Sequence, residues 1–159
     1  GLAQPPVQEP VSLDDAVQEA CDKWASRSSK RVVDWKVQSD LPGARADAVL
    51  LQQVLDELLG NALKFSAPRE HAVISVGATP APQAGFIALL VQDNGVGFNP
   101  ALQAKLFTVF GRLHSAEQFA GVGMGLVLAR KRVERMGGTL DIAGVADGGC
   151  CVTLVLPAG

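Results

Sequence analysis

The chain reads as an α/β sandwich, a mixed and mainly antiparallel sheet with its helices packed on one face, and three observations carry that reading. First, Asp47 to Ser66 is one long helical segment in which Leu51, Leu55, Leu58, Ala62 and Phe65 recur on a single face. Second, strand-like runs follow it as an adjacent pair, His71–Ala78 and Phe86–Gln92. Third, a second helical run with Leu126, Ala129, Val133 and Met136 on one face leads into two closing strands, Thr139–Val145 and Cys150–Leu156. The order helix, strand, helix, two strands, helix, two strands suggests such a two-layer domain.

The totals agree with a single domain. At 159 residues, with 48% hydrophobic and 19% charged residues, the chain can bury a proper core. A net charge of -2 gives no reason to expect nucleic acid or an anionic membrane as a partner. No apolar run reaches the ~20 residues of a membrane-spanning helix, and no signal peptide is visible. The three cysteines, Cys21, Cys150 and Cys151, form an odd set without metal-ligand spacing. Neighbouring strand residues point to opposite faces, so Cys150 and Cys151 are poorly placed to bridge each other, and a reducing, cytoplasmic compartment fits best.

In chain order, residues 1–10 are rich in Pro and Gln and read as a linker or chain end joined to something upstream, ahead of a domain over residues 11–159. Ser12 is an N-cap with Asp15 three residues on, and Val17, Ala20, Cys21 and Trp24 form the apolar stripe of a helix ending near Ala25. Arg31–Ser39 is a strand candidate, Leu41-Pro42-Gly43 a turn, and Asp47 the N-cap of the long helix. Pro68 breaks that helix, and Thr79-Pro80-Ala81-Pro82 is expected to turn the chain between the paired strands. Phe86–Gln92 is almost wholly apolar, as a central strand should be. Asn99-Pro100 starts a short helix carrying Leu102, Leu106 and Phe107, inside a segment of roughly 25 residues with little periodicity, more often a functional lid than an accident. Gly137-Gly138 stops the last helix, and Ala146-Asp147-Gly148-Gly149 turns the closing strands.

Three polar features stand out against that frame. Gln53, Glu57, Asn61 and Lys64 fall within roughly 80° of each other on the long helix, at about 100° per residue. A carboxylate and an amide oxygen suit Mg²⁺ or its waters, and a lysine suits a phosphate. The plain alternative is a solvated helix face with an i,i+4 polar pair. Gly121-Val122-Gly123-Met124-Gly125 is neither a P-loop nor a Rossmann fingerprint, yet glycines at a helix start let backbone N–H groups reach phosphate oxygens. A flexible loop running into a helix is its alternative. Asp93-Asn94-Gly95-Val96-Gly97 is a β-turn sequence whose carboxylate, at the end of a buried strand, is suited to accept from a purine amino group.

Taken in order, Asn61-Ala62-Leu63-Lys64-Phe65, Asp93-Asn94-Gly95-Val96-Gly97, Leu106-Phe107-Thr108-Val109-Phe110 and Gly121–Leu126 resemble the N, G1, F and G2 boxes of sensor histidine kinases. Val133–Gly138 and the ending Thr153-Leu154-Val155-Leu156-Pro157 are similar to the closing helix and strand of that family, and Phe110–Ser115 resembles phytochrome-like kinases. The resemblance covers Val11 to Pro157 and implies the Bergerat ATP-binding fold shared with gyrase, Hsp90 and MutL proteins. It implies ATP and Mg²⁺ as cofactors and a lid over roughly residues 95–125. Asp93 would then accept the adenine amino group, Gly95 and Gly97 would let the base pack closely, and Asn61 would hold the metal with Lys64 near the phosphates. Gly121, Gly123, Gly125 and Leu126 would wrap the triphosphate, Phe107 and Phe110 would anchor the lid, and Arg112 would reach the phosphates.

The sequence departs from the family pattern in two places. Glu57 stands where most such kinases have asparagine, an arrangement resembling the ATP-hydrolysing relatives, in which a carboxylate acts as general base or orients the nucleophile. An exposed helix glutamate is its alternative. Cys150 stands where a hydroxyl residue is usual near the adenine, and a thiol is the poorer hydrogen-bond partner. Neither His71 nor His114 lies in an acidic helical motif, so the phosphoacceptor histidine is expected on a separate dimerisation domain. The implied function is transfer of the ATP γ-phosphoryl to that histidine, with a response regulator served indirectly. A nucleotide-sensing or regulatory module without transfer activity is the alternative, favoured by Cys150, and a serine kinase acting on a sigma-factor system is a third reading.

Overall fold

The computed structural model describes residues 4–95, 123–145 and 148–159. Strands β1 (Glu9–Val11), β2 (Val32–Val37), β3 (Ala44–Ala46), β4 (His71–Pro80), β5 (Phe86–Asp93), β6 (Thr139–Val145) and β7 (Gly149–Pro157) accompany helices α1 (Leu13–Arg27), α2 (Ala48–Phe65) and α3 (Gly123–Arg135). The main sheet has the order β2-β4-β5-β7-β6. Only the β2–β4 pair is parallel; β4–β5, β5–β7 and β6–β7 are antiparallel. The apolar run Phe86–Gln92 is therefore the central strand, as its composition required.

Local chemistry sets the helix ends. The Ser12 hydroxyl accepts from the Asp15 amide at 3.2 Å, and Asp47 Oδ1 accepts from Val49 and Leu50 at 3.0 and 3.1 Å. At the end of α3 the Gly138 amide donates to Val133 O and that of Gly137 to Glu134 O, both at 3.0 Å. Gly137 there has φ +81°, the left-handed turn that glycine makes without strain. α1 runs two residues further than the expected Ala25, to Arg27.

Alternation decides the core. Ile74, Val76, Leu89, Val91, Leu140, Ile142, Val152, Leu154 and Leu156 point from the sheet into one buried cluster with Leu51, Leu55, Leu58 and Leu59 of α2. Leu126, Ala129, Val133 and Met136 of α3 enter the same cluster. Two local expectations are corrected. Thr79 and Pro80 do not turn the chain but continue β4, in register with Ala88 and Ile87, Pro80 occupying the last strand position where a missing N–H is tolerated. Glu9 and Pro10, read as linker, pair in β1 with Ala46 and Arg45 of β3, a ladder too short to leave a period-two signal. The expected short helix at Asn99 and most of the expected lid lie outside the described residues.

Candidate functional site

α2 carries the first half of the site. Its polar stripe is not a uniformly solvated face, because Asn61 is only 6% exposed. The Asn61 Nδ2 donates both to the Glu57 backbone carbonyl, at 2.9 Å, and to the Glu57 carboxylate. Both bonds use the nitrogen, so they fix the amide and leave Oδ1 as the acceptor that Asn61 turns the other way. Lys64 is exposed at the C-terminal end of the stripe.

A groove of about 490 Å³ runs along this face, lined by Trp24, Glu57, Gly60, Asn61, Lys64 and Gly125 among others. Trp24 of α1 forms one wall. Its indole Nε1 donates to Asp56 O at 3.0 Å, and a Cβ on Gly60 would come within 2.8 Å of the ring. Lys23 and Arg27 lie over the ring at 5.5 and 5.4 Å from its centroid, and Lys23 also pairs with Asp56 at 2.9 Å. The other wall is the first turn of α3. Gly125 packs so closely on the Glu57 carboxylate that a Cβ there would overlap both carboxylate oxygens. A side chain there would have to displace the carboxylate end of Glu57, which gives the third glycine of the Gly121–Gly125 cluster a physical reason.

The second half lies at the end of β5. Asp93 Oδ1 accepts from the Gly95 amide at 2.8 Å. Burial pushes the Asp93 carboxyl up to about 6, against the opposing pull of the Gly95 and Cys150 amides. Gly95 is buried against the Phe65 carbonyl at the end of α2, where a Cβ would collide with that oxygen. Asn94 locks the turn to β4, accepting from Val73 N at 2.8 Å and donating to His71 O at 3.0 Å. Arg69 donates to the carbonyls of Asn94, at 2.9 Å, and Gly95, at 3.2 Å. Cys150 stands opposite Asp93 in the β5–β7 ladder, is buried, and has its thiol pushed well up by that burial and by Asp93. Gly149 has φ +91° and abuts the Asp93 carbonyl with no room for a Cβ.

The fold thus brings Glu57, Asn61, Lys64 and Gly125 to one groove and Asp93, Gly95 and Cys150 to the neighbouring strand ends. Gly123 opens α3, while the Leu126 side chain is fully buried in the core. Gly97, Phe107, Phe110, Arg112, Gly121 and His114 lie outside the described residues, and His71 is exposed at the start of β4. Trp24, Arg69 and Gly149 join the site without having been singled out for it. Among the described residues no group of three or more His, Cys, Asp or Glu could hold a metal. The Asn61 Oδ1, not used in the bonds to Glu57, instead fits Mg²⁺, which is commonly held by few protein oxygens together with substrate phosphates.

Residues 46–159 match the family described as histidine kinase-, DNA gyrase B- and HSP90-like ATPase. The methanogenesis regulatory histidine kinase FilI of Methanothrix harundinacea is 30% identical over 156 residues, covering 98% of this chain and 17% of its own length. The phytochrome-like protein Cph1 of Synechocystis is 28% identical over 146 residues, covering 90% of this chain and 19% of its own. The chain therefore spans less than a fifth of the length of these relatives. Full-length ShkA, solved in complex with AMPPNP, superposes with a TM-score of 0.78 at 25% identity, over 99% of this chain and 32% of that one. The catalytic domain of histidine kinase ThkA shares the fold, with a TM-score of 0.76 at 19% identity over 96% of this chain and 97% of its own. With an amide–carboxylate pair on α2, glycine at the start of α3 and a half-buried aspartate ending β5, the chain belongs to the histidine kinase-, DNA gyrase B- and HSP90-like ATPase family, as an ATP-binding domain of the sensor histidine kinase type.

Proposed function

We propose that this domain binds Mg²⁺·ATP and presents the γ-phosphoryl to a histidine on a separate dimerisation domain, from which a response regulator is served. The new bond is between an imidazole nitrogen and the γ-phosphorus, the bond to the β,γ-bridging oxygen breaks, and ADP leaves. The observation that carries this reading is the Glu57–Asn61 pair facing Gly125 across one groove. Asn61 Oδ1 would hold the cation, which when bound neutralises charge on the phosphates. Lys64 adds a positive charge at the groove, and glycine backbone at the start of α3 lets N–H groups approach the phosphate oxygens. Asp93 accepts from the adenine amino group. Glu57 orients the incoming imidazole or takes its proton. Catalysis is then chiefly positioning and charge neutralisation, as is general for phosphoryl transfer. Among the described residues no helix is long and apolar enough to cross a membrane. The free cysteines Cys21, Cys150 and Cys151 support a reducing, cytoplasmic compartment.

Calorimetric titration with a non-hydrolysable ATP analogue, with and without Mg²⁺, tests the reading. Mg²⁺-dependent binding is expected, followed by transfer from ATP to a supplied histidine domain. Absence of binding at millimolar nucleotide overturns it.

One observation favours a nucleotide-sensing module without transfer as the second reading: the buried Cys150 thiol beside Asp93. Cys150→Thr separates the two. If it leaves binding intact and restores transfer to a domain otherwise inactive, the second reading is right for the natural sequence.

A further inference from the structure

Glu57 and Gly125 are in closer contact than two unrelated neighbours need be. The Glu57 carboxylate rests on the first turn of α3, a helix of 13 residues whose opening amides carry the positive end of its dipole. The same carboxylate takes the Asn61 Nδ2, so the side chain is held from two independent elements. An anion is therefore already seated where the glycine backbone of α3 opens onto the groove. Lys64, the other charged residue on this stripe, is exposed and makes no ion pair among those of the described residues.

We infer that Glu57 is a specificity-determining residue that makes the site select metal-loaded over metal-free nucleotide, by holding a carboxylate in the seat of the phosphates. This inference rests on the nucleotide-site reading above. A free triphosphate entering the groove meets a like charge at close range, and such juxtapositions are strongly unfavourable where water is partly excluded. A divalent cation arriving with the nucleotide and taken by Asn61 Oδ1 offsets that repulsion, because its charge neutralises the phosphates near the carboxylate. The groove offers oxygen donors of the hard type that Mg²⁺ prefers. Glu57 thereby acts before the chemical step, through which state of the nucleotide it admits.

The test is calorimetric titration of a non-hydrolysable ATP analogue in Mg²⁺ and in EDTA, on the natural chain, Glu57→Gln and Glu57→Asp. Glutamine keeps an acceptor for the Asn61 amide and removes the charge; aspartate keeps the charge. E57Q is expected to tighten metal-free binding by about tenfold or more while changing Mg²⁺-dependent binding far less. E57D should retain the natural preference for the metal complex. If E57Q leaves metal-free affinity unchanged or weaker, or if E57D gains as much as E57Q, the inference is overturned although the domain remains a nucleotide binder. If neither the natural chain nor E57Q binds nucleotide in either condition, both this inference and the proposed function fall. A natural chain that binds in neither condition, beside an E57Q that binds, overturns the inference, because the natural site then selects no metal-loaded nucleotide. Coincident thermal unfolding of the three proteins shows that folding is not what differs.

Discussion

Asp93 and Cys150 face each other across the β5–β7 ladder, a half-buried carboxyl opposite a buried thiol. Burial is the largest influence on Asp93 and raises it from 3.8 to about 6, so the ionised form is disfavoured by the fold. The penalty of keeping Asp93 charged is present above about pH 6 and is relieved as pH falls through that value. Asp93→Asn keeps an oxygen for the Gly95 amide and removes the charge. It is expected to stabilise the free domain at pH 7 by up to about 1 kcal/mol, after discounting for partial solvent exposure, or a few degrees in Tm. The same substitution should weaken discrimination of ATP from GTP, and natural affinity for the ATP analogue should decline as pH drops below about 6. Thermal melts and titrations across pH 5 to 8 check both; an affinity flat through that range would remove Asp93 from base recognition.

Asn61 is expected to separate binding from folding. Asn61→Ala deletes both bonds to Glu57, one of them at 2.9 Å to its carbonyl, from a residue that is 6% exposed. Helix propensity gained by alanine offsets part of that loss, so stability should change by no more than about 1 kcal/mol. Mg²⁺-dependent nucleotide binding, in contrast, should disappear. Urea denaturation beside calorimetry distinguishes the two effects, and retained Mg²⁺ dependence would sink Asn61 as the metal residue.

Trp24 and Gly60 make the wall of the groove sensitive to one methyl group. A Cβ at position 60 would lie 2.8 Å from a rigid indole that is itself tied to Asp56 O, so the ring has to shift. Overpacking costs about 1–3 kcal/mol, and the gain of alanine over glycine in a helix returns up to about 1 kcal/mol. Gly60→Ala should therefore destabilise the domain by about 1 kcal/mol and move Trp24 toward water. With Trp35 replaced by Phe, the emission of Trp24 reports this directly. An unshifted spectrum and unchanged urea midpoint would mean that the wall yields freely.

The division between what the sequence disclosed and what it did not follows the range of the interactions. Glu57 and Asn61 were legible as a pair because i,i+4 spacing puts them together on any helix, and Asp93 because an apolar run stopped at it. Both helix N-caps were legible for the same local reason. That Gly125 lies against Glu57 depends on how α3 packs on α2, about 70 residues away in the chain, and no spacing rule reaches that far. The parallel β2–β4 pair is set by tertiary packing in the same way. Arg69 serves the site only through carbonyl oxygens, which every residue carries, so its identity alone held no signal. β1 failed to show because Glu9-Pro10-Val11 is too short to alternate and contains a proline.

That strand leads to the last expectation. Asp47 joins two structures with one carboxylate: Oδ1 caps α2, and Oδ2 accepts from the Val7 amide at 2.8 Å, fastening the segment before β1. The segment is fastened again where Gln8 donates to Met136 O at 3.1 Å, beyond the end of α3. The Val7 amide, ahead of the cap bonds, holds the Asp47 carboxyl below its ordinary 3.8. A depressed carboxyl contributes stability that is present above the ordinary value and lost as pH falls through the lowered one. Asp47→Asn still presents one oxygen to the cap amides of Val49 and Leu50 but no second oxygen to Val7. It should lower Tm at pH 6, and the gap from the natural protein should close below pH 3.8 as Asp47 itself protonates. Hydrogen exchange at Val7 should accelerate in the variant at pH 6, where the carboxylate of the natural protein is intact. A Tm gap that persists unchanged into acid would show that the second oxygen, not its charge, makes the difference, and would remove Asp47 from the pH dependence of the fold.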